Sequence, residues 1–543
     1  MNPLLRHTFL SLAVASLAAC SSGDSNTTPT SPVDDTPAVD TDSPADGDND
    51  GSTETPTDGA DNGAGNAPDY GDLPPPTIPA VDLLATPIPG PTLDDPFGSL
   101  LEIDPETATA GGAPTQPKNL RIDLVSNDWA EFSWAPSNDD GEVVAYNIYR
   151  SDGHVYTVGR DQTDGNALAQ AEINKFWSTT SFIDCNYTRF ATRLHECASF
   201  GPKPGDIFSY EVTAVDETGQ ESIPSNPITI NYHQDRGAAV PLYADPYLDE
   251  SRFAQSHDLS NTAYFLDQFS LVFEDDFDGD SIDSARWNTQ LVWGDETIIN
   301  GEQQYFVNTQ DEPDFSYNPF KLSDSILTIE ATTVPEGLQS RLPEICNGTD
   351  DAGKERCLFL SGALSSHDKF NMTYGYVEGR MKTSDTFGAL SSFYLYHRYP
   401  GTGVNLHAPE IDIVEYLGEN PFGDEDAFQT YHFADVNTGE TRSAPTMSYK
   451  NPTGELFSDQ FHTYGVLWEP QLVIWYIDGV EIKRLSGPQV SRQGMNIVTY
   501  LVAGSGWAPT PDIEGGTFPL RYEIDYIRAW QRDAYDSNGL YPQ

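Results

Sequence analysis

Three carboxylates, Glu410, Asp412 and Glu415, stand close together in a stretch whose other residues are apolar or aromatic. Residues 410–416 read Glu-Ile-Asp-Ile-Val-Glu-Tyr, and β-branched and aromatic residues of this kind favour a strand. Side chains alternate between the two faces of a strand, so Glu410 and Asp412 share one face and Glu415 falls on the other. The three acids reach one surface only if the strand is irregular between Asp412 and Glu415.

A β-bulge would supply that irregularity. One extra residue at Ile413 or Val414 restores the parity of the strand and aims all three acids at one face, and bulges are over-represented next to active sites. Like charges crowded together repel one another, which raises the pKa of at least one carboxyl group. A general acid that works near neutral pH needs such a raised pKa. The stretch therefore predicts acid–base chemistry on a bulged strand.

The residues alone leave three uses of these acids open. Two carboxylates that flank a bond can hydrolyse a glycoside, one as nucleophile and the other as acid and then base, at a separation of about 5 to 5.5 Å in retaining enzymes. Asp412 would then hydrogen-bond the nucleophile and tune its charge. The acids could equally be solvated, or could bind calcium through their oxygens. Residues 270–531 contain no GxSxG elbow, P-loop, GxGxxG turn or HExxH pair, so the carboxylates are the best chemical lead.

The blocks around the three acids resemble glycoside hydrolase family 16, in its laminarinase-like branch with the signature Glu-x-Asp-x-x-Glu. The resemblance extends over residues 270–531. Its blocks follow the family's order and lie at residues 273–279 with Asp283 and Trp287, then at 300–306, 325–331, 374–382, 461–468, 475–479 and 523–530.

This resemblance implies an all-β fold, a concanavalin-type β-jelly roll of two packed antiparallel sheets. It also implies a retaining mechanism on a β-linked polysaccharide, with no cofactor needed for catalysis. Glu410 falls on the family's nucleophile, Asp412 on its supporting acid and Glu415 on its acid/base. The substrate contacts that the resemblance implies are His432, Glu302, Gln304, Trp293, Arg380, Tyr394 and Trp507, the aromatic ones because a sugar's C–H face stacks on a ring. A structural calcium ion is implied at Asp525 and the region of Glu274.

Two substitutions in this chain bear on the identity of the sugar. Residues 390–394 read Leu-Ser-Ser-Phe-Tyr where the family typically has Trp-Pro-Ala-Phe-Trp, so Tyr394 stands in place of a tryptophan floor, and Pro409 replaces the usual glycine. We expect β-1,3-glucan of the laminarin type as substrate, with a galactan or a bacterial exopolysaccharide as the alternative. Transglycosylation by the same residues, and a non-catalytic carbohydrate-binding adhesin, are further alternatives.

The N-terminus has the pattern of a bacterial lipoprotein signal in residues 1–19. Arg6 is the only early Lys or Arg, an apolar run covers residues 9–19, and small residues precede Cys20. The run is too short for a membrane-spanning helix, and the small residues mark a cleavage site with Cys20 as the lipidated first residue. Ser21 follows it rather than an aspartate, which favours the outer membrane. We expect a lipid-anchored protein of the cell envelope.

The chain is strongly acidic, with 84 Asp and Glu against 28 Lys and Arg and a net charge of -56. Such a charge argues against nucleic acid as a partner, because the phosphate backbone attracts basic surfaces. Residues 20–112 are rich in Asp, Pro and Thr and contain no Lys or Arg. They cannot bury a core, so we expect a disordered tether. We expect the folded part to be a monomer that binds a polysaccharide.

Residues 113–232 contain short alternating runs that predict strands, for example at 130–134, 144–150 and 208–216. The set Pro117, Trp134, Tyr146, Tyr210 and Ser225-Asn226-Pro227 resembles a fibronectin type III sandwich, with its aromatics as core. We expect a spacer or a carbohydrate-adhesion module. A connector at 233–269, the catalytic unit at 270–531 and a polar tail at 532–543 complete the chain.

Four cysteines remain once Cys20 is assigned to the lipid. Cys185 with Cys197, and Cys346 with Cys357, would each close a short loop in an oxidising compartment. Four cysteines allow three pairings, and proximity in sequence favours this one.

Overall fold

The computed structural model describes residues 110–159, 180–186, 200–233, 269–294, 298–349, 353–397, 409–419, 427–434, 441–451, 453–469, 471–516 and 518–532. Strands dominate these ranges, and the only helices within them are two 3₁₀ turns at Gln339–Arg341 and Glu344–Cys346. Neither described helix is long or apolar enough to cross a bilayer. The predicted all-β class is confirmed.

The N-terminal part of the described chain forms a sandwich, called here the N-terminal sandwich (residues 110–233). Its strands are β1 (Lys118–Val125), β2 (Trp129–Ala135), β3 (Val143–Arg150), β4 (Val155–Gly159), β5 (Ser181–Cys185), β6 (Ile207–Asp216) and β7 (Ile228–Asn231). One sheet has the order β4-β3-β6-β7, and β5-β2-β1 form the other layer. Trp134, Tyr146 and Tyr210 are buried in the cluster between them, as predicted. The fibronectin type III resemblance itself stays a prediction.

The rest of the described chain folds into two large, mainly antiparallel sheets. The first strands are β8 (Phe269–Asp275), β9 (Gln304–Phe306), β10 (Phe320–Ser323), β11 (Ile326–Thr333), β12 (Phe359–Ser361), β13 (Ala363–Ser365), β14 (Gly375–Lys382), β15 (Ala389–His397) and β16 (Glu410–Leu417). They are followed by β17 (Ala427–Gln429), β18 (Tyr431–Ala434), β19 (Thr441–Ser443), β20 (Met447–Tyr449), β21 (His462–Glu469), β22 (Leu472–Ile477), β23 (Val480–Ser486), β24 (Met495–Ala503) and β25 (Leu520–Arg532).

The smaller of the two sheets carries the three acids and is called here the acid sheet. Its strands run in the order β13-β24-β15-β16-β17-β20, and β18 pairs with both β16 and β19. The larger sheet includes the path β23-β22-β21-β14-β25-β11, with β8 and β10 at its sides. The only parallel pairing among the described strands of this unit is β9 with β12. Two stacked antiparallel sheets are the architecture of the predicted jelly roll.

A single apolar core fills the space between the two sheets. Ile411, Ile413 and Tyr416 contribute from the acid sheet, and Trp468 and Trp475 from the larger sheet, all at or below 1% exposure. Large aromatic side chains of this kind supply most of the burial free energy, at about 25 cal/mol per Å² of apolar surface. The core therefore packs against one face of β16, the strand that carries the acids.

The disulfide between Cys346 and Cys357 is present, which confirms the second predicted pair. Cys197, the partner predicted for Cys185, lies outside the described residues, as do Cys20, the signal segment, the tether, most of the connector and nearly all of the tail. The first pair, the lipid anchor and those segments therefore stay predictions.

Candidate active site

The strand of the acids, β16, is bulged where the sequence predicts. Phe393 on β15 pairs with Val414, and the next residue, Tyr394, pairs with Asp412, so Ile413 has no partner of its own in this register. Ile413 and Val414 consequently both turn their side chains into the core. The bulge prediction is confirmed, and the parity of the strand changes between Asp412 and Glu415.

The other face of the acid sheet is lined by aromatic side chains. Tyr394 and Tyr396 on β15 and Tyr500 on β24 form one cluster there, outside the main core. Tyr396 lies opposite Glu410, and Tyr500 lies opposite Ser392, which in turn faces Glu415. Burial is the main cause of the raised pKa of Tyr500, and the negative charges of four acids raise it further. These acids are Glu302, Glu415, Glu410 and Asp412. All three acids therefore share this face.

His432 completes the group from the neighbouring strand β18. Its Nε2 atom lies 3.2 Å from an Asp412 carboxylate oxygen, and its Nδ1 atom lies 2.7 Å from the hydroxyl oxygen of Ser443. Asp412 is almost completely buried, whereas the His432 side chain is 30% exposed. Potential ligand atoms of Glu410, Asp412 and His432 lie within 4.8 Å of one another, the one group of this kind among the described residues. A protonated His432 would donate to Asp412 rather than ligate a metal ion.

The electrostatics of the group follow from burial and crowding. Burial, and then the charge of Asp412, raise the pKa of Glu410 to about 8. Burial and the charges of both other acids raise the pKa of Glu415 well above its ordinary value. Burial alone would lower the pKa of His432, but its hydrogen bond to Asp412 and the three acid charges raise it to about 9. The site therefore holds protons at neutral pH that free side chains would release.

The backbone at the bulge is held from both sides. The Asp412 amide donates to the Thr430 carbonyl oxygen at 3.0 Å. The Asp412 carbonyl accepts a 2.8 Å hydrogen bond from the indole N–H of Trp475, which reaches across the core from β22. Both bonds are buried, and leaving such a group unpaired costs about 1–3 kcal/mol. Trp475 thus helps to fix the backbone orientation of Asp412 at the bulge.

Comparisons with known proteins identify a matching family and several relatives. Residues 305–528 match the family model of glycosyl hydrolases family 16. This part of the chain is therefore similar to family 16, and residues 269–532 are called here the family 16 domain after that similarity. The chain is 32% identical over 272 residues to the endo-1,3-1,4-beta-glycanase ExsH of Rhizobium meliloti (strain 1021). This match covers 49% of this chain and 52% of the relative. The chain is 31% identical to EglC, an endo-1,3-1,4-beta-glycanase of the same bacterium, over 49% of this chain and 55% of that relative.

The chain thus spans about half the length of these curated relatives. Among solved structures, the catalytic domain of an endo-1,3-beta-glucanase (laminarinase) from Thermotoga petrophila RKU-1 is 25% identical. The match covers 49% of this chain and 98% of that one, with a TM-score of 0.38.

Glu302 and Gln304, two of the predicted substrate contacts, lie next to each other. Gln304 donates to Glu302 at 2.7 Å, and its own side-chain oxygen accepts from the Ala503 amide at 3.1 Å. The negative charges of Glu302 and Glu410 both raise the pKa of Tyr394 and of Tyr500. These two tyrosines therefore lie between Glu302 and Glu410.

The three aromatics predicted to contact sugar differ in exposure. Tyr394 is only 2% exposed, and its ring packs edge-on against Tyr500 at 5.5 Å. Trp293 and Trp507 are partly exposed and flank the same cluster, Trp293 against Tyr396 at 5.5 Å and Trp507 against Phe428 at 5.0 Å. The two tryptophans are therefore better placed than Tyr394 to stack on a sugar ring.

Arg380 is not brought together with the acids. It lies on β14 of the larger sheet, where its guanidinium pairs with Asp525 and stacks over Phe461 at 4.8 Å. Glu274 is paired with Arg528 at 3.3 Å. The two carboxylates predicted to bind calcium thus each face a guanidinium, an arrangement that does not fit a shared calcium site.

Several residues at the site were not found from the sequence. Tyr396, Tyr500 and Trp475 contact or face the acids, yet each stands in a strand whose residues are buried on both sides. Such strands show no alternation that would separate a groove residue from a core residue. Ser443 contacts His432 from the short strand β19. Trp475 carried the only signal, because it belongs to a block that resembles the family.

A pH-dependent stability is expected from Glu302. Burial raises its pKa to about 8 from 4.5, so between these pH values the folded state keeps a proton that the unfolded state has released. Stability must then fall as pH rises through this window. Each pKa unit corresponds to about 1.4 kcal/mol, so the loss amounts to a few kcal/mol. We expect Glu302→Gln to flatten the decline of Tm between pH 5 and pH 8, measured by calorimetry.

The control for this experiment is Glu336→Gln, which changes an exposed glutamate in the same way. It should leave the pH dependence of Tm as in the unmodified protein. Identical slopes for Glu302→Gln and the unmodified protein would show that Glu302 does not hold its proton in the folded state.

Proposed function

We propose that the family 16 domain is a retaining endo-glycoside hydrolase that cleaves extracellular β-linked glucan. The observation that carries this proposal is the bulged strand, which presents Glu410, Asp412 and Glu415 on one face with His432 against the middle acid. Double displacement at an anomeric carbon requires one ionised and one protonated acid, and two carboxyl groups whose titrations depend on each other can supply both forms.

In the proposed first step, Glu410 attacks the anomeric carbon and forms a covalent glycosyl-enzyme, while Glu415 gives its proton to the leaving oxygen. In the second step Glu415 takes a proton from water, which attacks the same carbon and releases Glu410. Asp412 and His432 do not react. Asp412 hydrogen-bonds to Glu410, and a protonated His432 places a compensating positive charge beside both acids.

The assignment of the two roles follows from the resemblance to family 16. In its signature the first glutamate, here Glu410, is the nucleophile, and the last, here Glu415, is the acid and then the base. The negative charges of the crowded acids repel one another, so the pair titrates as a unit. The first proton lost from it leaves one carboxylate and one carboxylic acid, the two forms that the reaction needs.

The substrate is proposed from the relatives and from the groove. Two relatives are named as endo-1,3-1,4-beta-glycanases. The partly exposed Trp293 and Trp507 flank the acids and suit the apolar faces of β-linked glucose units. We therefore assign β-glucan with 1,3 linkages, such as laminarin, as the preferred substrate.

A panel of polysaccharides tests this proposal. Reducing ends and product sizes are measured on laminarin, a mixed-linkage 1,3-1,4-β-glucan, an agar-type galactan and a bacterial exopolysaccharide. We expect oligosaccharides from the glucans at early times, and proton NMR of the first product should show the β-anomer. An initial α-anomer would exclude retention, products longer than the substrate would indicate transglycosylation, and binding without new reducing ends would indicate an adhesin.

Two further proposals rest on the sequence alone. The chain is attached to the outer membrane through a lipid on Cys20, which would present the domain to extracellular polysaccharide. The N-terminal sandwich is a fibronectin type III-like module. A structural calcium ion, if the protein binds one, would need ligands other than Asp525 and Glu274 as they are paired here.

A further inference from the structure

The N-terminal sandwich is joined to the family 16 domain by strand pairing. Val125 at the end of β1 pairs with Ser486 at the end of β23, so one sheet continues from the sandwich into the larger sheet. The Ser126 hydroxyl donates to the Arg484 carbonyl at 2.9 Å. A side chain at Gly487 would collide with the Asp123 carbonyl oxygen, which shows how closely the two backbones approach.

The two parts also share an apolar core. Leu124, Trp129 and Ile183 of the sandwich belong to the same buried cluster as the centre of the family 16 domain. Domains that are linked only as spacers have small and polar contacts. A shared core therefore fixes the sandwich in one position against its neighbour.

One buried ion pair crosses this interface close to the active site. Glu131 on β2 pairs with the guanidinium of Arg442 on β19, and their side chains are 2% and 13% exposed. Removing one partner of a buried pair is costly, because the other charge is left uncompensated. The pair therefore ties β19 to the sandwich.

Strand β19 holds the active-site histidine. Among the described strands it pairs with β18 alone, with Arg442 opposite Phe433 and Ser443 opposite His432. Ser443, the residue after Arg442, is the one that contacts His432 Nδ1 at 2.7 Å and so directs Nε2 towards Asp412.

The far end of the same segment has a second attachment. Lys483 on β23 donates to the Pro445 carbonyl at 3.0 Å, and its ammonium lies 5.8 Å from the centre of the Trp129 ring of the sandwich. Lys483 also lies 5.7 Å from the Trp475 ring, whose N–H holds the Asp412 carbonyl. Two routes thus lead from the sandwich to Asp412.

We propose that Glu131 is a positioning residue for the active site, supplied by the N-terminal sandwich. It acts through Arg442 and Ser443 on His432, and so on the orientation of Asp412. The sandwich is then a part of the catalytic unit rather than a spacer. The catalytic consequence rests on the proposed hydrolase function, whereas the contact between Glu131 and the histidine strand does not.

The test compares Glu131→Gln with Ser126→Ala, a control that removes an interface hydrogen bond remote from His432. In the full chain, Glu131→Gln should lower kcat about ten- to hundredfold with KM within twofold, the scale expected when a supporting group is misplaced by about 1 Å. Hydrogen exchange of residues 427–451 should become faster. Ser126→Ala should change neither quantity, and Glu131→Asp, which keeps the charge, should restore part of kcat.

A double-mutant cycle separates positioning from general destabilisation. In a Ser443→Ala background, Glu131→Gln should cause little further loss of kcat, because the link to His432 is already broken. Additive losses, or a lower Tm with kcat and exchange of residues 441–443 unchanged, would overturn the proposal. If Glu131→Gln does not fold, Glu131→Asp and Arg442→Lys answer the same question. If the unmodified protein cleaves no polysaccharide, the proposed function fails, and the exchange measurement alone decides the Glu131 link.

Discussion

Glu410→Gln is expected to abolish hydrolysis while the protein stays folded. Glutamine has nearly the same shape as glutamic acid but cannot attack the anomeric carbon, so no glycosyl-enzyme forms. Loss of a reacting group of this kind lowers kcat by on the order of 10⁴-fold or more. The pKa of Glu410 is raised to about 8, so the folded site already accommodates an uncharged side chain there. Reducing-end release from laminarin measures the activity, and circular dichroism measures the fold.

Glu419→Gln is the matched control for this variant. Glu419 lies two residues beyond the end of β16 and is exposed, so the same chemical change should leave turnover unaffected. Near-normal turnover in Glu410→Gln would show that Glu410 is not the nucleophile. A loss of turnover together with a loss of fold would be answered by Glu410→Asp, which keeps the carboxylate but withdraws it from the substrate.

Glu415→Gln is expected to show a loss that depends on the leaving group. A general acid contributes about 10²- to 10⁴-fold, and most of that contribution is needed when the leaving oxygen is a poorly acidic sugar hydroxyl. Polysaccharide cleavage should therefore fall by this factor. An activated aryl β-glycoside needs little protonation, so its first step should survive and the second step should become slow.

Stopped-flow release of the aryl group distinguishes the two glutamates. Glu415→Gln should give a rapid burst of one equivalent followed by slow turnover, because the glycosyl-enzyme forms but lacks a base for its hydrolysis. Glu410→Gln should give no burst. The reverse pattern would exchange the two roles.

The pH profile gives an independent check on Glu415. A general acid must be protonated, so activity falls as pH rises through its pKa. The alkaline limb of kcat/KM should therefore disappear in Glu415→Gln, measured on its residual cleavage of laminarin, whose leaving oxygen needs a proton. An unchanged alkaline limb would assign it to another group, with His432 the nearest candidate.

The reacting groups could be found from the sequence because they are close together in it. A bulge between Asp412 and Glu415 follows from the two-residue period of a strand and the need to place three acids on one surface, and the pairing of β15 with β16 confirms it. The jelly roll followed from the resemblance to family 16, and the Cys346–Cys357 disulfide from the proximity of the two cysteines in the sequence.

Residues that reach the site from distant parts of the chain could not be found in this way. Arg380 was predicted to contact sugar from its place in a matching block, but the fold puts it on the other sheet against Asp525. Trp293 and Trp507 were predicted to contact sugar, and their partial exposure beside the tyrosine cluster could be seen only in the tertiary structure.

By itself, the sequence determined that the three acids share a face, because a strand alternates its side chains and the acids need a bulge between Asp412 and Glu415. The resemblance to family 16 then favoured glycoside hydrolysis among three possible uses and implied the all-β class. The tertiary structure alone decided what surrounds those acids. Trp475 reaches the Asp412 carbonyl across the core, and Glu131 reaches the histidine strand from another sandwich. Contacts between residues so far apart in the chain depend on how sheets stack and how strands pair. The alternation of side chains along a single strand contains no information about them.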